Sequence, residues 1–155
     1  MNQPALKHEL EWSMVHPEIL DKCWDECAKL LRRSVKRSGG RVTIDDVYRD
    51  VDSGRCQMWI VYDTSNLEII GCSVTFLKEY PTGLRMLHID PIAGIKMARW
   101  LEDGLDMLGH FAKKNGYDGI VGIGRTVFWN WIKNIGWLRD EVSCKKSPIF
   151  NCLES

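Results

Sequence analysis

Met86, His88 and Asp90 alternate along a short apolar run, so their side chains share one face of a strand. A histidine beside a carboxylate can accept a proton from an incoming nucleophile, which is general-base chemistry. A strand-end histidine that is merely hydrogen-bonded is the plainer alternative, and spacing leaves both open. Directly afterwards, Pro91, Ile92, Ala93 and Gly94 lead from this strand into a long helical pattern. The first N–H groups of a helix have no intrahelical acceptor, and the helix dipole favours an anion beside them. Gly94 has no side chain to hold a phosphate away. Ile92, Ala93, Gly94, Ile95 and Lys96 are therefore candidate phosphate-holding residues. A plain glycine turn is the alternative, and the negative charge of Asp90 nearby argues for it.

Other chemistry-bearing patterns are weaker. Gly122-x-Gly124 lies between a predicted strand and a predicted helix, but position 127 is Val, so the dinucleotide fingerprint is incomplete. No P-loop, GxSxG elbow or HExxH occurs. Cys23 and Cys27 lie one helical turn apart, yet Cys144 and Cys152 do not supply a second zinc pair at matching spacing. The cysteines read as reduced, structural thiols, and no metal is expected. Cys56 and Cys72 fall on strands and read as core. Five basic side chains from Arg32 to Arg41 fit either a solvated helix end or a grip on a phosphate or acidic partner. Phe128, Trp129, Trp131 and Trp137 have helical spacing and read as core before they read as a base-stacking surface.

The elements that must position these residues follow from periodicity. Glu9–Val15 reads as a short strand. Leu20, Cys23, Trp24, Cys27, Leu30 and Leu31 recur at three- and four-residue steps, which predicts an amphipathic helix from Pro17 to about Lys36. Thr43-x-x-Asp46 predicts the capped start of a second helix through Asp52. Gln57–Tyr62, Leu67–Leu77 and Leu84–Ile89 are rich in β-branched and aromatic residues and are separated by turn-forming Asp63–Asn66 and Tyr80–Gly83. They predict an antiparallel meander, closed by Pro91. Met97, Leu101, Leu105, Leu108 and Ala112 mark one face of the longest helix, Ile95–Asn115, which Gly116 ends. A strand over 117–123, an aromatic helix over 126–135 and a final hairpin (Trp137–Asp140, Ile149–Leu153) complete the chain. The step from strand 84–89 through a helix to strand 117–123 predicts two parallel neighbours.

At 155 residues the length predicts one domain, 1–155, of mixed α/β class. A formal net charge of zero argues against nucleic acid as partner. No apolar run is long enough to span a membrane, and the first dozen residues lack the apolar stretch of a secretory signal. The expected location is the cytoplasm.

With this order of elements, the chain resembles the GNAT acyltransferase superfamily over nearly all its length. The exit Ile132-Lys133-Asn134-Ile135-Gly136-Trp137 is similar to that family's aromatic-x-x-x-Gly-aromatic ending. Met58–Trp59 near a strand start, the Tyr80-Pro81-Thr82-Gly83 turn, Gly94 before a helix bearing Trp100, and Gly124–Arg125 resemble the GNAT-like proteins of tailed phages. The resemblance implies a twisted mixed sheet of six to seven strands with about four helices. It implies acetyl-CoA between residues 84–90 and 117–123, its pyrophosphate at the helix following Gly94, with Arg125 among the cofactor-binding residues. An amine would attack the thioester, with His88 or Asp90 as base and a backbone N–H of the fourth strand polarising the carbonyl. The chain departs from the family where Pro91 replaces Gln or Arg, Lys96 replaces Gly or Ala, and Ile132 replaces the tyrosine that serves as acid. These departures point to a degenerate site and to a second expectation, a non-catalytic GNAT-like protein that is part of a virion or binds a host protein.

Overall fold

The computed structural model describes residues 9–122, 138–139 and 144–146. Arg125, the helix expected over 126–135, Ile132, Gly136 and the strand expected at Ile149–Leu153 lie outside the described residues. Seven strands among the described residues are ordered β1-β2-β3-β4-β5-β7-β6. They are β1 (Leu10–Val15), β2 (Gln57–Asp63), β3 (Ile69–Glu79), β4 (Arg85–Gly94), β5 (Gly119–Gly122), β6 (Leu138–Arg139) and β7 (Cys144–Lys146). The helices among them are α1 (Leu20–Lys36), α2 (Ile44–Asp52) and α3 (Met97–Lys114), with a single 3-10 turn at Pro17–Ile19. The mixed α/β class is as the sequence predicts.

The chain forms two compact units. One comprises the residues up to Val74 together with Ile92–Trp100, the other Thr75–Pro91 together with the residues from Leu101 onward. In the first unit, β1 pairs antiparallel with β2, Leu10 opposite Asp63 and Val15 opposite Met58. Leu20, Cys27 and Leu31 of α1 join Val47 and Val51 of α2 over Met58, Cys72 and Val74. The face predicted from the three- and four-residue spacing is the face that is buried. The α2 start is closed by a capping box: Asp46 N–H donates to Thr43 Oγ1 at 3.1 Å and Thr43 N–H donates to Asp46 Oδ2 at 2.9 Å.

In the second unit, β4 and β5 are parallel, Met86 opposite Gly119 through Ile89 opposite Gly122. This is the pairing expected of a strand-helix-strand crossover. Leu101, Leu105, Leu108 and Ala112 of α3 are buried, as are Leu87, Ile89, Ile120 and Val121. β5 is followed in the sheet by β7, antiparallel to it, and β7 pairs with β6, Leu138 opposite Lys145.

Four expectations need correction. Leu67 was expected to begin a strand, but it lies in the β2–β3 turn at φ +61 and β3 starts at Ile69. The turn closes through Leu67 N–H donating to Asp63 C=O at 2.7 Å, which holds Leu67 out of the ladder. β4 does not close at Pro91 but runs to Gly94. Past the proline, Ile95 N–H reaches Ile70 C=O at 2.8 Å, so the neighbouring strand carries the ladder onward without a donor from Pro91. α3 then starts at Met97 rather than Ile95, because Gly94 (φ +155) and Lys96 (φ +56) are both non-helical. Finally, the partner of β6 is Cys144–Lys146, earlier in the chain than the predicted second hairpin arm.

Candidate functional site

The hairpin between β3 and β4 determines what surrounds His88. Tyr80 N–H donates to Leu84 C=O and Gly83 N–H donates to Tyr80 C=O, both at 2.8 Å. Pro81 pre-sets the first turn position and Gly83 takes the positive φ, +90, that a three-residue loop of this kind requires. Counting four residues back from Tyr80 and four on from Leu84 sets Phe76 opposite His88. The two rings stack accordingly, with centroids 5.1 Å apart and planes 19° off parallel. Tyr80 turns its hydroxyl to within 3.1 Å of His88 Nε2. Lys78 Nζ lies 5.1 Å from the centre of the Tyr80 ring.

His88 is 8% exposed, whereas Asp90, two residues further along the same strand, is exposed to solvent. The ring partner the structure gives His88 is thus Tyr80, a residue that the His-Asp alternation did not single out. Burial holds the His88 pKa below its ordinary 6.5, and the Lys78 charge pushes it the same way. The imidazole is neutral at neutral pH, the state a proton acceptor needs. The sign of its effect on stability follows. An unfolded chain binds this proton more readily than the folded one, so the stabilisation is complete above about pH 6.5 and is lost as pH falls through the lower folded value. His88→Gln is expected to flatten the loss of urea-unfolding midpoint between about pH 7 and pH 5. A slope identical to the parent's would show that His88 is not desolvated.

The remaining predicted residues lie where β4 turns into α3. Ile92 is buried, and Ala93 packs against the core formed by α1 and α2. Gly94 is enclosed: a Cβ built there would stand 2.4 Å from Ile70 O, 2.6 Å from Gly71 Cα and 2.8 Å from Trp100 Cζ2. Its missing side chain makes room for β3 and for the Trp100 indole. Ile95 was expected to offer a free N–H, but that N–H is taken by Ile70 C=O, and the Ile95 carbonyl accepts from Trp100 Nε1 at 2.8 Å. The N–H groups of Lys96, Met97 and Ala98 have no acceptor among the described residues. Arg99 N–H, the next, already donates to Lys96 C=O at 2.9 Å. The open N–H groups therefore lie two to four residues beyond Gly94, with the exposed Lys96 side chain beside them.

The thiols of Cys23, Cys27 and Cys56 are held in their protonated form. Cys23, Cys27, Cys56 and Cys72 are free thiols. The Cys23 pKa is raised by its hydrogen bond with Cys27 and by burial, and that of Cys56 is pushed by burial up to about 11. Cys27 is raised as well: its bond to Cys23 pulls the other way, but the bond to Cys72 and burial outweigh it. No group of three or more metal-ligating side chains occurs among the described residues, and none of the described helices is long and apolar enough to cross a membrane.

No protein-family model matches the sequence, and neither does any curated protein. Solved structures do match. A predicted acetyltransferase from Clostridium acetobutylicum, solved with acetyl-CoA, is 16% identical over 85% of this chain and 92% of its own, with a TM-score of 0.63. Glucosamine-6-phosphate N-acetyltransferase from Arabidopsis thaliana is 11% identical over 86% of this chain and 94% of its own, with a TM-score of 0.61. FeeM, an N-acyl amino acid synthase from uncultured soil microbes, is 8% identical over 92% of both chains, with a TM-score of 0.64. At such identities the likeness is one of fold. The chain has the GNAT acyltransferase fold.

Proposed function

We propose that the protein is an N-acyltransferase that moves an acetyl group from acetyl-CoA to an amine. The observation that carries this reading is the start of α3 in a GNAT fold: three N–H groups, of Lys96, Met97 and Ala98, without an acceptor among the described residues. They suit a pyrophosphate electrostatically, and the Lys96 ammonium adds a countercharge. Gly94 contributes differently from the phosphate-cradling role first assigned to it, because its open side is occupied by β3 and Trp100. Arg125 remains among the residues proposed to hold acetyl-CoA. When bound, acetyl-CoA would supply the activated acyl group. On the protein side, neutral His88 would accept the proton of the attacking amine, with exposed Asp90 beside it to attract a cationic acceptor.

The resemblance to GNAT-like phage proteins supports a cytoplasmic setting, that of a host cell if the protein is phage-encoded. A second reading, a non-catalytic GNAT-like protein that is part of a virion or binds a host protein, is favoured by one observation. The Gly94 side of the helix start is filled by packing rather than left open.

Unfolding with and without acetyl-CoA separates the two. Ligand that binds only the folded state at a hundredfold excess over Kd should stabilise it by about 2.7 kcal/mol. Lys96→Glu, on an exposed residue, should shrink that shift while leaving the ligand-free midpoint near the parent's. No shift at millimolar acetyl-CoA would rule out acyl transfer from it.

A further inference from the structure

The basic end of α1 fits either a solvated helix end or a grip on an anion by sequence, and the structure separates the two. Arg32, Arg33 and Lys36 in the last turns of α1, Arg37 at its C-cap and Arg41 in the loop to α2 are all exposed. At about 100° per residue the first four fall within an arc of about 140°. That arc lies on the side of α1 opposite the buried Leu20, Cys27 and Leu31. Among the described residues none of the five forms an ion pair. Arg37 and Arg41 find only neutral acceptors, Ser34 Oγ at 3.2 Å and Ser38 C=O at 2.6 Å. Asp46, just past the loop, is already engaged by Thr43 N–H and by Arg49.

A solvated helix end does not account for this placement. The dipole of α1 favours cations in its last turn, where Arg33 and Lys36 stand, and not at Arg32 before it or Arg41 beyond it. Arg32 and Lys36, like Arg33 and Arg37, are four residues apart, a spacing at which like charges weaken a helix. From Cys27 to Ile44 the sequence has six basic residues and no acidic one to relieve them. Gly40 N–H and Arg41 N–H add two donors without an acceptor among the described residues, and the space beside Gly39 and Gly40 is open.

We infer that the end of α1 and the loop to α2 form a docking site for a short acidic segment of another protein, a run of Asp or Glu residues. Four of the five cations are guanidinium groups, which hold a carboxylate through two parallel N–H···O bonds and are more weakly hydrated than ammonium. The site is short: Arg32 to Arg37 rises about 8 Å, the length of two or three residues of extended chain. Acids flank it on both sides, Asp21, Asp25 and Glu26 earlier on α1 and Asp45, Asp50 and Asp52 on α2. The chain has 21 basic and 21 acidic residues, so outside the five of the patch acids outnumber bases by five. A nucleic acid, whose charge continues beyond the patch, would be repelled by those acids. Residues 32–41 also include no aromatic ring on which a base could stack. Nothing in this docking requires acyl transfer.

Fluorescence anisotropy of the full chain with fluorescein-labelled hexaglutamate tests the site. The peptide should bind saturably, about tenfold more weakly at about 150 mM NaCl than at about 20 mM, because exposed charges are screened. Arg33→Glu combined with Arg37→Glu should weaken binding about tenfold or more, since two attractions become repulsions. Both side chains are exposed, so the urea midpoint should stay near the parent's. Arg33→Gln with Arg37→Gln, a milder change, should give a smaller loss in the same direction. Lys113→Glu combined with Lys114→Glu is the control, because it reverses two exposed cations in the last turn of α3 and changes net charge equally. It should leave the affinity near the parent's. Equal losses in the two charge-reversed proteins would mean attraction to net charge alone and overturn the site. No saturation by millimolar peptide at the lower salt overturns it as well. An oligothymidylate of equal charge that binds more tightly than the peptide would make the partner a nucleic acid and overturn the assignment to an acidic protein.

Discussion

Gly94→Ala is expected to cost about 3 kcal/mol or more, because overpacking and a strained backbone act together at one residue. The added Cβ meets Ile70 O at 2.4 Å and Gly71 Cα at 2.6 Å, and both are backbone atoms of a paired strand. Moving them away would pull on the 2.8 Å bond from Ile95 N–H to Ile70 C=O that carries β4 beyond Pro91. The φ of +155 adds strain for any L side chain. Gly83→Ala is the control. It also has a positive φ, +90, but nothing lies within 4 Å of its Cβ position. Conformational strain alone should cost it about 1–2 kcal/mol. Urea unfolding of the two variants measures the difference. A Gly94→Ala protein as stable as the parent that no longer binds acetyl-CoA would return Gly94 to the phosphate-cradling role.

Trp100→Ala should be as damaging, at about 3–5 kcal/mol for emptying a buried indole site. The side chain is 2% exposed and covers both Gly71 and Gly94. Its ring meets Trp12 edge-on at 5.5 Å, and Trp12 Nε1 donates to Trp100 C=O at 3.3 Å. Truncation also leaves the Ile95 carbonyl without the indole donor. Trp100→Phe, which keeps much of the volume, should cost about 1–2 kcal/mol from the lost hydrogen bond. Equilibrium unfolding checks the order of the two. The packing argument makes a sharper claim about a double variant. Gly71→Ala should be costly in the parent, where its Cβ would stand 2.6 Å from Trp100 Cζ2, and nearly free once Trp100 is Ala. Additive losses would mean that Trp100 does not occupy the space above Gly71.

Both predictions concern residues that were singled out in the sequence for another reason. Gly94 was marked by its place before a helix, and Trp100 by its place on that helix. Spacing cannot tell whether a glycine admits a ligand or a neighbouring strand, since both need the same absent side chain. The same holds at His88. Alternation along β4 pointed to Asp90, whereas Tyr80 reaches the ring across a hairpin. That partnership was within reach of the sequence: Pro81 and Gly83 define a three-residue loop, and the loop sets the register that brings Phe76 opposite His88.

What the sequence determined by itself was local. The periodicity of α1 and α3 named the faces that are buried, Thr43 and Asp46 announced the capping box, and the polar turns delimited the meander. The β4-α3-β5 order implied parallel strands and hence the fold class. Each of these depends on residues close along the chain, whose preferences are strong enough to act alone. Only the tertiary structure decided which backbone N–H groups stay open at the start of α3, what fills the space beside Gly94, and which ring nitrogen of His88 is engaged. Those outcomes depend on β3 and the hairpin after it, where Ile70 C=O takes the Ile95 N–H and Tyr80 reaches His88 Nε2, using the same groups a ligand would use.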